Sequence, residues 1–197
     1  MANNNKNVTT GKPKTGGAVF KAPAGTTLPT DAKTALANTY VSMGFISEDG
    51  VSNTVGWDSE VIKDWGGTPV LIYEDNKSDE FKVTFIESMS PDVLKAVHGS
   101  GNVTGTDAET TGGLKVTVNN DEHEAAVWVV DMIMKGGILK RVVIPSGTIT
   151  AVEEVVYKKN EVIGYGVTIS ATTDASGNYH YEYLEKPSTS GNTGDDD

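Results

Sequence analysis

The chain contains no cysteine, only three histidines, and no apolar run longer than the six residues 125–130, which Asp131 ends. Without cysteine there are neither disulfides nor thiolate metal sites, a composition compatible with a reducing compartment. A six-residue run is far short of the roughly 20 apolar residues that a membrane-spanning helix needs. Residues 1–10 are polar and lack an apolar core, so no secretory signal is expected. The sequons at Asn7 and Asn102 therefore read as chance. Catalytic signatures are missing too. There is no Gly-x-Ser-x-Gly elbow, no P-loop and no EF-hand loop, and the glycine pairs Gly99/Gly101 and Gly164/Gly166 lack the third glycine of a dinucleotide fingerprint. His123 lies in Asp-Glu-His-Glu, but the fourth residue after it is Val127, so the zinc-protease spacing fails. His98, His123 and His180 are expected to be structural or solvent-facing. The acidic pairs Asp121/Glu122 and Glu153/Glu154 have the residue type of glycosidase carboxylates, but nothing in their spacing sets a cleft between them. The expectation is no catalytic residue, no metal and no cofactor.

What is present favours strands. The 197 residues suffice for one domain with a core, and plentiful Val, Ile and Thr with 22 glycines suit strands and tight turns. The net charge is −11. Residues 1–21 carry four lysines and no acid, residues 186–197 sum to −2, and the body between holds −13. Nucleic-acid affinity comes mainly from cations that neutralise phosphates, so so acidic a body is a poor nucleic-acid binder. The composition predicts a flexible N-terminal arm at 1–16, one domain at 17–186, and a disordered acidic tail at 187–197.

Along the chain, strands are expected at 18–22, 40–47, 79–88, 114–118, 125–134, 137–145, 148–157, 161–172 and 178–185. Phe81, Val83 and Phe85 alternate with Glu80, Lys82 and Thr84, the period of a half-buried strand. A short helical turn is expected at 31–38. The clearest helix follows Ser90 as cap and Pro91 as first residue, carries Val93, Leu94 and Val97 on one stripe, and stops at Gly99. Asp49-Gly50 and residues 174–177 read as hairpin turns. Residues 125–134 and 137–145 are apolar on both faces apart from Asp131, Lys140 and Arg141, so both faces need cover, from the same domain or from a neighbour. The predicted fold is mainly β, a sandwich or barrel with one short flanking helix, an extended loop and flexible termini.

Residues 56–69 place Trp57, Val61, Ile62 and Trp65 in an acidic, turn-rich connection, and such loops with large aromatics are more often interfaces than filler. The alternative is that both tryptophans fold back onto their own core.

The order of these features resembles the tail tube, or major tail, proteins of long-tailed, non-contractile bacteriophages. It runs from Gly44-Phe45-Ile46-Ser47-Glu48-Asp49-Gly50-Val51 through Trp57-Asp58, Ile62-Lys63-Asp64-Trp65-Gly66-Gly67, Phe81-Lys82-Val83-Thr84-Phe85 and Pro91-Asp92-Val93-Leu94-Lys95 to Ile163-Gly164-Tyr165-Gly166-Val167 and Asp174-Ala175-Ser176-Gly177-Asn178. The resemblance spans roughly residues 45–183. It implies a β-sandwich subunit of the virion tail, assembled in the host bacterial cytoplasm as stacked, hexameric rings around a tape-measure protein. Tail terminator and distal tail or baseplate proteins would be its other partners, with no membrane. DNA would pass through without specific binding. It also implies a long early hairpin reaching an adjacent ring, here about residues 51–69, with Val51, Trp57, Asp58, Val61, Ile62, Asp64 and Trp65 as contacts. Strand alternation adds Glu80, Lys82 and Glu87 as residues facing a lumen. Two other readings compete: the tube protein of a contractile tail or secretion apparatus, and a carbohydrate-binding β-sandwich of a phage particle with Trp57 and Trp65 as stacking platforms.

Overall fold

The computed structural model describes residues 3–14 and 16–187; the acidic tail expected at 187–197 lies outside these beyond Pro187. In chain order the elements are β1 (Gly11–Pro13), β2 (Val19–Pro23), β3 (Val41–Ser42), β4 (Ile46–Lys63), β5 (Pro69–Phe85), α1 (Pro91–His98), β6 (Val103–Thr104), β7 (Lys115–Val116), β8 (Ala126–Met134), β9 (Leu139–Val152), β10 (Tyr165–Ala171) and β11 (Tyr181–Glu185). Nine strands form one antiparallel sheet ordered β3-β2-β8-β9-β10-β5-β4, with β1 added to β8 and β11 to β9. The sheet folds over itself: Phe85 of β5 and Trp128 of β8 are far apart in strand order, yet their rings stack 6.4 Å apart across the core. This is a mainly β, sandwich-like fold with one short helix.

The main core joins Val19, Phe81, Val83, Phe85, Trp128, Val130, Ile144, Val167 and Ile169 with Val93, Leu94 and Val97 of α1. The alternation read for residues 79–85 is therefore the real burial pattern. The apolar stripe of α1 packs into this same core. Ser90 precedes the helix as expected but makes no side-chain cap bond. Trp128 donates its indole N–H to the Gly147 carbonyl at 3.0 Å. A Cβ at Gly147 would stand 2.8 Å from Ile169 Cγ2 and 2.9 Å from Trp128 Cδ1, so only glycine lets β9 approach the tryptophan this closely.

The two-sided apolar strands are covered from within the chain. Ala126, Trp128 and Val130 face the main core, while Val127, Val129 and Val143 face a second cluster closed by Tyr40, Ala22, Leu28, Leu36, Tyr181 and Tyr183. Covalent continuity of residues 24–40 with β2 and β3 places this second layer where no period in the sequence announces it.

Four local expectations are corrected. Residues 31–34 are bends and 35–38 continue without a helix, so no helical turn forms there. The Asp31 carboxylate accepts bonds from the Lys33 and Thr34 amides at 2.7 and 2.6 Å. The carbonyls of Asp31 and Thr34, which a helix would spend on later amides, instead accept bonds from Arg141 Nη1 at 3.0 and 2.9 Å. Asp49-Gly50 is not a hairpin turn but part of a bulge inside β4, where the pairing jumps from Ile46↔Phe85 to Val51↔Val83 with Gly50 at φ 72°. Residues 137–145 and 148–157 are not two strands, because β9 runs continuously past Pro145. Pro145 is tolerated because β11 starts opposite Val143, β10 ends opposite Gly147, and the pairing with β8 jumps from Ile144 to Gly147, leaving no ladder partner that needs its missing N–H. Residues 174–177 do form a turn, with the Asp174 amide bonded to the Asn178 carbonyl at 3.0 Å, yet β10 and β11 do not pair with each other. Both pair with β9, end to end, since its unpaired edge is long enough for both.

His98, at the end of α1, meets Tyr165 edge-on at 5.6 Å. Burial, and then the proximity of His123, hold its imidazole below its ordinary value of 6.5. The unfolded chain accepts a proton that the folded state resists, so this contribution is complete above pH 6.5 and is lost as the pH falls below it. Melting between pH 7.5 and 5 is expected to show a shallower acid loss for His98→Gln than for the parent. Equal slopes would remove His98 as a source of the acid sensitivity.

Candidate functional site

Where β4 and β5 pass beyond Asp79 they leave the sandwich and continue as a two-stranded ribbon paired from Gly56↔Ser78 to Lys63↔Pro69. No residue from 57 to 78 is buried. The tip is held by Asp64, whose Oδ1 accepts the Thr68 amide at 2.7 Å, while its backbone amide donates to the Thr68 carbonyl at 2.9 Å. Trp65 is fully exposed and Trp57 is 56% exposed, so neither returns to the core. Val61 pairs with Ile72 and Ile62 with Leu71; adjacent pairs point to opposite faces, so both faces of the ribbon are apolar near the tip.

A free two-stranded ribbon is marginal in water, and one that exposes Val61, Ile62, Trp65, Val70, Leu71 and Ile72 displays apolar surface without a layer to cover it. Of the sequence-predicted contact residues, Trp57, Asp58, Val61, Ile62, Asp64 and Trp65 stand on this ribbon, while Val51 sits at its base, partly buried against the main core. The sequence reading overlooked the returning half, residues 70–73. The signal was present: Pro69-Val70-Leu71-Ile72-Tyr73 is a bounded run of strand-forming residues.

Beside the ribbon, the sandwich shows a polar outer face. Two rows cross the strands, Ser52–Lys82–Thr168 and Thr54–Glu80–Ser170–Thr148, each residue opposite its neighbour in the pairing. Thr150 and Ser170 share a hydroxyl–hydroxyl bond of 2.8 Å on the same face. Glu80 and Lys82 lie in these rows. Glu87 lies past the end of β5, where its Oε1 accepts the Phe45 amide at 2.8 Å. The outer edge of β4, last in the sheet order, is unpaired among the described residues.

Elsewhere chemistry is sparse. A 330 Å³ pocket beside α1 interleaves Lys21 and Lys95 with Asp121, Glu122, His123 and Glu124. Burial pushes the Lys21 ammonium down against the opposing pull of Glu124. Asp121 is engaged by the Asn119 amide at 2.6 Å. Among the described residues no three His, Asp or Glu side chains are grouped to hold a metal, and no helix is long and apolar enough to cross a membrane.

The described chain is thus a mainly β subunit with an uncovered projecting ribbon and a free sheet edge, the anatomy of a self-associating structural protein. A family model described as phage tail tube protein matches residues 1–193, and the chain belongs to that family, whose members are structural components of the virion tail. No curated protein matches it.

Proposed function

We propose that the protein assembles as stacked, hexameric rings that form the phage tail tube, built in the host cytoplasm around a tape-measure protein and capped by terminator and distal tail proteins. The observation that carries this reading is the β4–β5 ribbon, which projects from the sandwich with apolar side chains on both faces. Its cover comes from a subunit of the adjacent ring. The free β4 edge supplies backbone groups for pairing around a ring, and the N-terminal arm, whose β1 strand already adds to β8, extends contact to a neighbour.

The polar rows of β4, β5, β10 and β9 face the lumen in this reading. They are rich in hydroxyls and balance Lys82 against Glu80, so they offer passing DNA no array of cations with which to hold its phosphates. Glu87, bonded to the Phe45 amide, stands outside those rows. The role is structural and not catalytic.

Negative-stain electron microscopy across a concentration series tests the proposal. Hollow filaments or stacked rings of uniform bore are expected, and Trp65→Ser combined with Ile62→Ser is expected to leave only unstacked subunits or single rings. Compact particles at every concentration that bind glycans tightly would favour the carbohydrate-binding alternative instead.

A further inference from the structure

The ribbon needs something to fix its direction, because a two-stranded projection with no layer beneath it bends readily. At its root lies Asp79, 2% exposed, on the strand that enters the sandwich. Asn53 Nδ2 donates to Asp79 Oδ1 at 2.5 Å and also reaches the Glu80 carbonyl at 3.2 Å, tying β4 to β5. The other carboxylate oxygen is bound by His180 Nδ1, from a segment a hundred residues away in sequence. The His180 ring stands edge-on against Phe81, with centroids 5.3 Å apart, which seats it on the core. Next to it, Tyr179 donates its hydroxyl to the Lys77 carbonyl at 3.0 Å, one step further out on the ribbon.

A carboxylate this deeply buried is costly unless its oxygens are satisfied, and those of Asp79 are taken by two different parts of the chain. We propose that Asn53, Asp79 and His180, with Tyr179 at Lys77, form a pivot lock: the segment leading into β11 clamps the root of the ribbon and sets the angle at which it projects. The ribbon's own pairing holds its two strands together. The lock holds the ribbon to the body. Because His180 directly precedes β11, a load on that strand is transmitted to the ribbon's direction. The importance of that direction for tube assembly rests on the reading of the ribbon as the inter-ring contact; the lock itself does not.

The absence of native cysteine permits a direct test in the full chain. Nitroxide labels at Ser59→Cys on the ribbon and Ser100→Cys on the body would report their separation by pulsed electron resonance, below the concentration at which the protein associates. The parent is expected to give one narrow distance distribution. His180→Ala is expected to widen it at least about twofold while leaving the melting transition cooperative, since the side chain lies at the edge of the core. His180→Asn, whose amide nitrogen can replace Nδ1 as donor to Asp79, is expected to restore the narrow distribution. If His180→Ala proves unfolded, Tyr179→Phe, which keeps the ring and removes only the bond to the Lys77 carbonyl, carries the same expectation of a wider distribution. An unchanged width in a folded variant that lacks the clamp overturns the proposal. Widening with filaments formed as readily as by the parent leaves the lock standing and counts against the ribbon as the stacking contact.

Discussion

Replacing Arg141 with alanine is expected to cost about 3–5 kcal/mol of folding free energy. That is a large part of the roughly 5–15 kcal/mol that holds a domain together. Arg141 is 1% exposed and Asp131, directly opposite on β8, is 3% exposed. Their contact is bidentate, with Nε to Oδ1 at 2.6 Å and Nη2 to Oδ2 at 2.8 Å. Nη1 then spends both its protons on the carbonyls of Asp31 and Thr34, so one side chain closes a sheet pair and pins the 24–40 segment over the second core. Lys14, 3.7 Å from Asp131, is a third of the way exposed and screened by solvent, so it does not replace the guanidinium. Alanine would strand a buried carboxylate and two carbonyls together. The double variant Asp131→Leu with Arg141→Met is expected to recover most of the loss in the sheet pair, because it removes both charges at once. Lysine at 141 keeps the charge but not the fork, and is expected to fall between the two. Urea midpoints of the four proteins measure this. A loss below about 1 kcal/mol for Arg141→Ala would mean that the pair behaves as a surface ion pair.

Excising the ribbon is expected to have the opposite profile, with assembly abolished and stability kept. Gly56 and Ser78 face each other directly in the pairing, so joining them through Asn-Gly closes a short hairpin in the register already present. The removed residues 57–77 include none that is buried, and their Glu60–Tyr73 bond at 2.8 Å and Glu74–Lys77 pair at 3.1 Å lie within the excised piece. The one tertiary bond lost is Tyr179 to the Lys77 carbonyl. The melting free energy is therefore expected to change by no more than about 0.5 kcal/mol, as for changes away from packed features. Filaments should vanish at every concentration. Filaments of normal bore from the excised protein would show that stacking uses another surface, and a collapsed melting transition would show that the ribbon belongs to the folding unit.

How much was legible beforehand depended on whether a residue's partner is near it in sequence. The alternation at Phe81, Val83 and Phe85, the Pro91 start and the apolar stripe of α1 are local patterns, and they read correctly. Asp49-Gly50 was misread because the same left-handed glycine serves a turn or a bulge, and only the partner strand decides which. The turn at Asp174 was recognised, but its pairing consequence was not, since β9 offers its edge to both flanking strands. The interruptions Asp131 and Arg141 were visible as charges in apolar strands, and their pairing across β8 and β9 was not.

The class of structure was already set by local chemistry: β-branched residues and glycines dictate strands and turns, and one apolar stripe behind Pro91 dictates one helix. The ordered series of short features in the sequence also pointed to the tail tube family. Tertiary structure alone decided that Trp57 and Trp65 stand away from the core, that residues 24–40 cover the second face of β8, and that His180 reaches Asp79. The reason is the range of the forces involved. Backbone preference and hydrophobic period act over a few residues, whereas burial and buried charge pairing are settled only when segments a hundred residues apart compete for the same surface.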